Sequence, residues 1–443
     1  MLFKNASYLD ENCNLVNGDL FIDDGVIKID CENDVVNDDK IIDCQDYIII
    51  PGLFNAHFHG YSLLAKGIAR DMKIESWCND SQQGRIQTQF FENLDKLSSE
   101  EYEWVCLKVN AEMVKKGITF VSENEPAYWP DLVAGAIDKI GLRGIIDTHK
   151  KIEESYPKNV GNVSFGTHLL EEEDITEESL EACVLNKKEY DTIYMTHCME
   201  NDWRRDIIYT NFGRSSIELY KEKGLLDHKT VLYHGVHMSE KDIELVAETQ
   251  ASVVHCPNSN LWSGAGMAPV SKMLEKGVNV CLGTDFASVD IWETMKTAYY
   301  LLKLSSPFNR FQAEDIFKLA TVNGAKAYQK NDLGVIREGF KADLVFIKKD
   351  PMIPQINSDD FSTVVHNLIF ETKEESIRHV MVDGKWVMFD RELLTINEKE
   401  IDENFKNVME KVYNSIYPNG VPSTHPAYEA RHDRDKDNWA CER

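Results

Sequence analysis

The chain reads as two β-rich ends around a long stretch in which strand-like and helical segments alternate. Over residues 1–50, short runs of alternating apolar and polar positions are broken by turn signals. They are LFKNASYL, then GDLFIDDGVIKID with Asp24-Gly25 as its hairpin turn, then KIIDCQDYIII. From residue 51 the pattern changes. Apolar, β-branched runs (PGLFNAHFH, GITFVSE, LRGIIDTH, NVSFGTH, TIYMTH, TVLYHG, ASVVHCP, NVCLGTD) alternate with helical segments such as EYEWVCLKVNAEMVKKG, SEKDIELVAETQ and WETMKTAYYLLKL. Strands apolar on both faces and separated by helices imply a parallel sheet. Roughly eight such units over about 280 residues suit a (β/α)8 TIM barrel better than an open doubly wound sheet. After residue 335 short β runs return in KADLVFIKKD and RHVMVDGKWVMFD, the second turning at Asp383-Gly384.

The expected fold is therefore α/β: a barrel over 51–335, with a small β-sandwich domain built from both chain ends, 1–50 and 336–396. A helical, charged tail covers 397–443. Composition narrows this further. With 443 residues the chain can bury a large core without disulfides. Its 10 cysteines contain no C-x-x-C, which excludes a zinc ribbon or thioredoxin motif and reads as reduced thiols in a cytoplasmic protein. No signal peptide and no apolar run long enough for a membrane span is expected. A formal net charge of -27 argues against nucleic acid as a partner. The segment GAGMAP lacks the third glycine of a dinucleotide loop.

The chemistry lies where the strand candidates stop. NAHFH, GTH, MTHCMEN, YHGVH, VVHCP and LGTD each finish an apolar run with His or Asp. In a barrel these ends share the C-terminal face, where barrel active sites are built. On a strand, residues i and i+2 share a face, so His57 and His59 can present two nitrogens together. His197 would add a third nitrogen and Asp285 an oxygen, an N3O set that suits zinc and also accepts iron or manganese. Such a metal lowers the pKa of bound water so that hydroxide is available near neutral pH. Asp285 could take the water proton, and Glu200, three residues after His197, could protonate a ring nitrogen or an amine. His234 could polarise a carbonyl or orient the nucleophile. His168 and His237 are candidate substrate contacts, and His255 could brace its loop through Asn258 and Asn260.

This constellation resembles the amidohydrolase superfamily, in its mononuclear-metal branch of aminohydrolases and chlorohydrolases. The resemblance rests on GDLFIDDGVIKID, PGLFNAHFHGYSLLAKGIARD, HCMEN, VLYHGVHMSEKDIELVAETQASVVHCPNSNL, GVNVCLGTDFAS, KADLVFIKKD and VMVDGKWV, nearly the whole chain. It implies one divalent metal, zinc with iron as the alternative, held by His57, His59, His197 and Asp285. It also implies Glu200 as proton shuttle and His234 as the hydrolytic or substrate-polarising histidine. The activity it implies is hydrolytic deamination of a small amino-substituted nitrogen heterocycle of purine, pterin, pyrimidine or triazine type. Rivals are a chlorohydrolase or other C–N hydrolase with the same machinery, and a non-catalytic scaffold. Association into homodimers is implied only by the resemblance. Two departures bear on the substrate. Phe286 stands where the family's Thr-Asp motif usually continues with Gly. Trp77 is present, but the following CNDSQQGRIQTQ lacks the ribose-gripping Glu of methylthioadenosine deaminases. A deaminase of the other zinc class would need H-x-E with P-C-x-x-C, which is absent.

Overall fold

The computed structural model describes residues 1–29, 41–68, 71–77, 79, 81–124, 129–148, 159–169, 171–358, 361–417, 421–422 and 439–440. Eight strands form one parallel sheet in chain order: β1 Leu53–Phe58, β2 Ile118–Asn124, β3 Arg143–Thr148, β4 Val163–His168, β5 Tyr194–Cys198, β6 Thr230–His234, β7 Ser252–His255 and β8 Asn279–Leu282. The sheet curls so that the chain just after β8 meets β1. Asp285 bridges Phe58 in parallel register, and its N–H donates to the His57 carbonyl at 2.9 Å. Phe54, Phe120, Met195, Val231, Tyr233 and Val254 fill the interior. A larger apolar layer packs between the strands and the surrounding helices. This is the barrel expected from the alternating pattern.

The two chain ends form one nine-stranded mixed sheet. Strand Leu344–Lys348 from the C-terminal end pairs antiparallel with Tyr47–Pro51 from the N-terminal end, which in turn lies parallel to Leu2–Leu9. Phe3, Leu20, Ile49, Phe346 and Met381 give this part its own core. Arg143, at the start of β3, binds Asp343 at 2.8 Å and Asp383 at 3.0 Å, which fastens this sheet to the barrel end opposite the histidines.

Both predicted hairpin turns are present, and they meet. Asp24-Gly25 and Asp383-Gly384 have φ of 46°, 75°, 51° and 72°, the left-handed pair that a two-residue hairpin turn requires. Ala342 joins them: its N–H donates to Gly25 O at 2.8 Å, and its carbonyl accepts from Gly384 N at 3.0 Å. A Cβ on Gly384 would lie 2.6 Å from Gly25 Cα. Gly384→Ala is therefore expected to destabilise the protein by about 1–3 kcal/mol, seen as a lower melting temperature. Gly18→Ala, in open space on a strand, serves as the neutral control.

Two helices complete the outer layer. Val364–Glu371 interrupts the C-terminal β stretch and packs by His366 and Phe370 against Tyr299 of helix Ile291–Ser305. Glu398–Asn414, in the expected tail, lies along helix Ser99–Lys115. It buries Ile401, Val408 and Val412, and Lys411 pairs with Glu101 at 2.7 Å. The i, i+7, i+11 spacing of those apolar residues makes one face, which needs a partner surface to cover it.

Candidate metal centre and cavity

His57 lies in β1, and His59 follows its last residue in extended backbone (φ −114°, ψ 104°) at the entry to a short 3-10 turn, Gly60–Ala65. The ring centroids are 4.9 Å apart. His57 Nε2 and His59 Nε2 converge on a single oxygen, Asp285 Oδ1, at 3.3 and 3.4 Å. The His197 ring, from β5, stands 5.0 Å from that of His57 and 5.5 Å from that of His59. The ligand atoms of His57, His59 and His197 fall within 4.8 Å of one another. The structure thus brings together the four donors that the strand ends suggest.

The backbone is forced into this arrangement. Asp285 has φ of 63° and His234 φ of 72°, left-handed conformations that cost free energy outside glycine and concentrate at functional sites. Asn55 and Thr284 exchange hydrogen bonds of 2.8 and 2.9 Å, locking β1 to the segment that carries Asp285. Gly283 permits the approach, because a Cβ there would sit 2.8 Å from His57 Cβ and 2.9 Å from its backbone nitrogen.

The electrostatics suit a cation. Burial pushes His57 down to about 4, against the pull of Asp285, so the ring is neutral and can donate a lone pair. Burial works against the Asp285 charge, but the facing rings of His57, His234 and His59 hold its carboxyl well below the usual range. His57 Nδ1 and His59 Nδ1 are buried without hydrogen-bond partners. Three imidazoles grouped around one ionised carboxylate form a mononuclear N3O donor set, and the residues fit a divalent metal ion. Cys256 was not anticipated: its sulfur shares a 4.8 Å neighbourhood with His57, His234 and Asp285. Burial raises that thiol well above its ordinary range, which makes it a poor donor.

A cavity of about 220 Å³ opens beside the donors, lined among others by His59, Trp77, His197, Glu200, His234, Asp285 and Phe286. His234 Nδ1 lies 2.8 Å from Asn260 Oδ1, so the ring donates from Nδ1 and turns Nε2 inward, 3.9 Å from Asp285 Oδ2. Asn260 thus serves His234 rather than His255, which burial lowers to about 3 and keeps neutral. Glu200 is buried, one carboxylate oxygen 2.9 Å from Arg204 Nη1. Trp77, Trp262 and Phe286 form an aromatic wall, with Phe286 5.1 Å from Trp77 and 5.7 Å from Trp262. The Trp77 Nε1 atom is buried without a hydrogen-bond partner.

Two predicted contacts do not line this cavity. His168 stands behind it, Nδ1 2.7 Å from Asp147 Oδ2, where Tyr233 Oη also donates at 3.1 Å. His237 is held to one side between Asp202, at 3.2 Å, and the Ala265 carbonyl, at 3.0 Å, because the chain turns away after His234. Glu123 accepts from Gly60 N at 2.5 Å, and burial pushes it up to about 8. The sequence reading missed Glu171 and Arg204. Glu171 Oε1 lies 2.9 Å from His197 Nδ1 and its other oxygen 2.8 Å from Arg204, which also binds Glu173 at 2.9 Å. The run of acids from 171 to 174 resembles a solvated loop, and nothing local in sequence marks it as turned inward.

Comparisons with known proteins bear on the family and the fold. A family model described as "Amidohydrolase family" matches residues 48–387. A 5-methylthioadenosine/S-adenosylhomocysteine deaminase of Pyrococcus furiosus is 30% identical over 436 residues, 93% of this chain and 100% of that protein. A 5'-deoxyadenosine deaminase of Methanosarcina acetivorans is 28% identical over 93% of this chain and 98% of its own. In fold, an adenosine deaminase from Xanthomonas campestris with bound zinc superposes with a TM-score of 0.80 at 21% identity, covering 93% of this chain and 98% of that one. No helix among the described residues is long and apolar enough to cross a membrane.

Proposed function

This chain belongs to the amidohydrolase family, and from that premise we propose that it hydrolytically deaminates an amino-substituted nitrogen heterocycle, with an adenosine-type aminopurine as the first substrate to test. The observation that carries the reading is the convergence of His57 and His59 on Asp285 Oδ1 at 3.3 and 3.4 Å, on a cavity wall shared with Glu200. His57, His59, His197 and Asp285 would hold the metal ion, and zinc is proposed because the Xanthomonas relative binds it. A divalent cation there supplies Lewis acidity that makes water nucleophilic near neutral pH.

The chain's own residues do the rest. Asp285 accepts a proton from the attacking water as its oxygen bonds to the amino-bearing ring carbon. Glu200 gives a proton to the adjacent ring nitrogen, which draws electrons from that carbon and stabilises the tetrahedral adduct. The proton held by Asp285 then passes to the amino group, the adduct's hydroxyl returns a proton to Glu200 as the C–N bond breaks, and ammonia and the oxo heterocycle leave. His234, its Nδ1 tied to Asn260, directs Nε2 at the developing oxygen charge. Phe286 and Trp262 offer stacking faces for the ring, and Trp77 Nε1 offers a donor to it. We place the enzyme in the cytoplasm because its seven described cysteines are all free and buried.

The test is ammonia release by zinc-loaded protein from 5'-deoxyadenosine, methylthioadenosine, adenosine, adenine, guanine and an aminotriazine. The missing glutamate after Trp77 is the reason to set the free bases beside the nucleosides. Turnover of at least one aminopurine is expected, and no release from any member would end the deaminase reading.

A further inference from the structure

We propose that Glu171 and Arg204 are positioning residues: the Glu171 carboxylate fixes the ring of His197, and Arg204 ties that carboxylate to Glu200. A metal donor and the proton-transfer group are then held as one unit. The inference rests on the roles proposed above for His197 and Glu200.

The connections are short and continuous. His197 Nδ1 lies 2.9 Å from Glu171 Oε1, and Glu171 Oε2 lies 2.8 Å from Arg204 Nη1. The same Nη1 lies 2.9 Å from Glu200 Oε2. The other edge of the guanidinium takes Glu173 at 2.9 and 3.0 Å. The Glu171 carboxylate beside Nδ1 favours the tautomer that carries its proton there, which leaves the Nε2 lone pair free for a metal ion, and rotating the ring would give up that contact. Arg204 is buried and stays charged in every protonation state of its neighbours, so it is a permanent anchor for both carboxylates.

Local structure places each part. β4 ends at His168, and the 3-10 turn Glu172–Asp174 folds the acidic run back onto the barrel mouth. Both oxygens of Glu172 accept from Met199 N at 3.0 Å, pinning that turn to the segment just after His197. Asn201 caps the helix Asp202–Phe212 through Arg204 N at 3.0 Å, which sets where the arginine departs. Ligand atoms of His168, Glu171 and His197 also fall within 4.8 Å of one another. Both Glu171 oxygens already face a partner and His168 is held by Asp147, so a chain of charged contacts accounts for the geometry without a second ion.

The experiment compares Glu171→Gln with Glu173→Gln. Both remove one carboxylate charge from Arg204, but only the first does so at the group that faces His197 Nδ1. Zinc affinity is measured by competition with a chromophoric chelator, with folding checked by circular dichroism. Glu171→Gln is expected to weaken zinc binding about 10–100-fold, and Glu173→Gln to leave it within a few-fold of wild type. Equal affinity in wild type and Glu171→Gln, or equal loss in both variants, overturns the proposal. So does a second zinc equivalent in wild type that Glu171→Gln removes. Should Glu171→Gln not fold, Glu171→Asp keeps the charge on Arg204 but falls a methylene short of Nδ1. Weakened zinc binding is expected there too, and wild-type affinity would count against the proposal. Wild-type protein that binds no zinc sinks the metal reading itself, a result separable from all of these.

Discussion

Glu200→Gln is expected to lower kcat for ammonia release by about 10²–10⁴-fold, the range for loss of a positioned general acid, with zinc content and KM near wild type. The variant isolates proton transfer for structural reasons. Gln has almost the volume of Glu, and the site is buried, so a smaller residue would open a void. Arg204 keeps Glu171 and Glu173 as counter-charges, so no buried cation is left unpaired. Glu200 is outside the donor set, so the metal ion should bind as before. A ring nitrogen must gain a proton before the amine can leave, and Gln cannot give one. Chloride leaves without protonation, so an enzyme built for that leaving group would lose far less. Ammonia release within about fivefold of wild type, at unchanged zinc content, would remove Glu200 from the mechanism.

The site was legible in sequence wherever a strand delivers its own residue. β1, β5 and the segment after β8 each carry a candidate donor at or beside their ends, and a parallel barrel puts such ends on one face whatever the loops do. The same reasoning found His234, whose position is set by the last residue of β6. It failed one turn further on. His237 follows a left-handed pair, His234 and Gly235, which redirects the chain toward Asp202 and Ala265. Glu171, Arg204 and Asn260 act through contacts between elements distant in sequence, and no periodicity reports those. Trp262 was missed because its helix, Pro257–Trp262, is too short to show a pattern. The end sheet was legible from its two Asp-Gly turns, each needing φ above zero. Their meeting at Ala342 was not, since it depends on the packing of two hairpins more than three hundred residues apart.

Asp285→Asn is expected to cost more than any other single change: loss of zinc binding together with a fall in kcat/KM of at least roughly 10³-fold, because a metal donor and the proton acceptor disappear at once. Asn is the substitution to choose. Asp285 has φ of 63°, a conformation that Asn tolerates nearly as well as Asp, whereas Ala would add backbone strain to the lost charge. The backbone clamp survives as well, because Asp285 N to His57 O and the Asn55–Thr284 pair involve no Asp285 side-chain atom. The apo variant should therefore fold and melt close to apo wild type. The difference appears on adding zinc. An ion that binds only the folded state stabilises it by RT ln(1 + [L]/Kd), about 2.7 kcal/mol at a hundredfold excess over Kd. Wild type should melt several degrees higher with zinc, and Asp285→Asn should barely shift. His57 stays neutral in the variant because burial dominates its protonation, so the loss cannot be assigned to a proton taken up by the ring. A full zinc-dependent shift in melting temperature for Asp285→Asn would show that the three histidines suffice and that the carboxylate at their centre serves proton transfer alone.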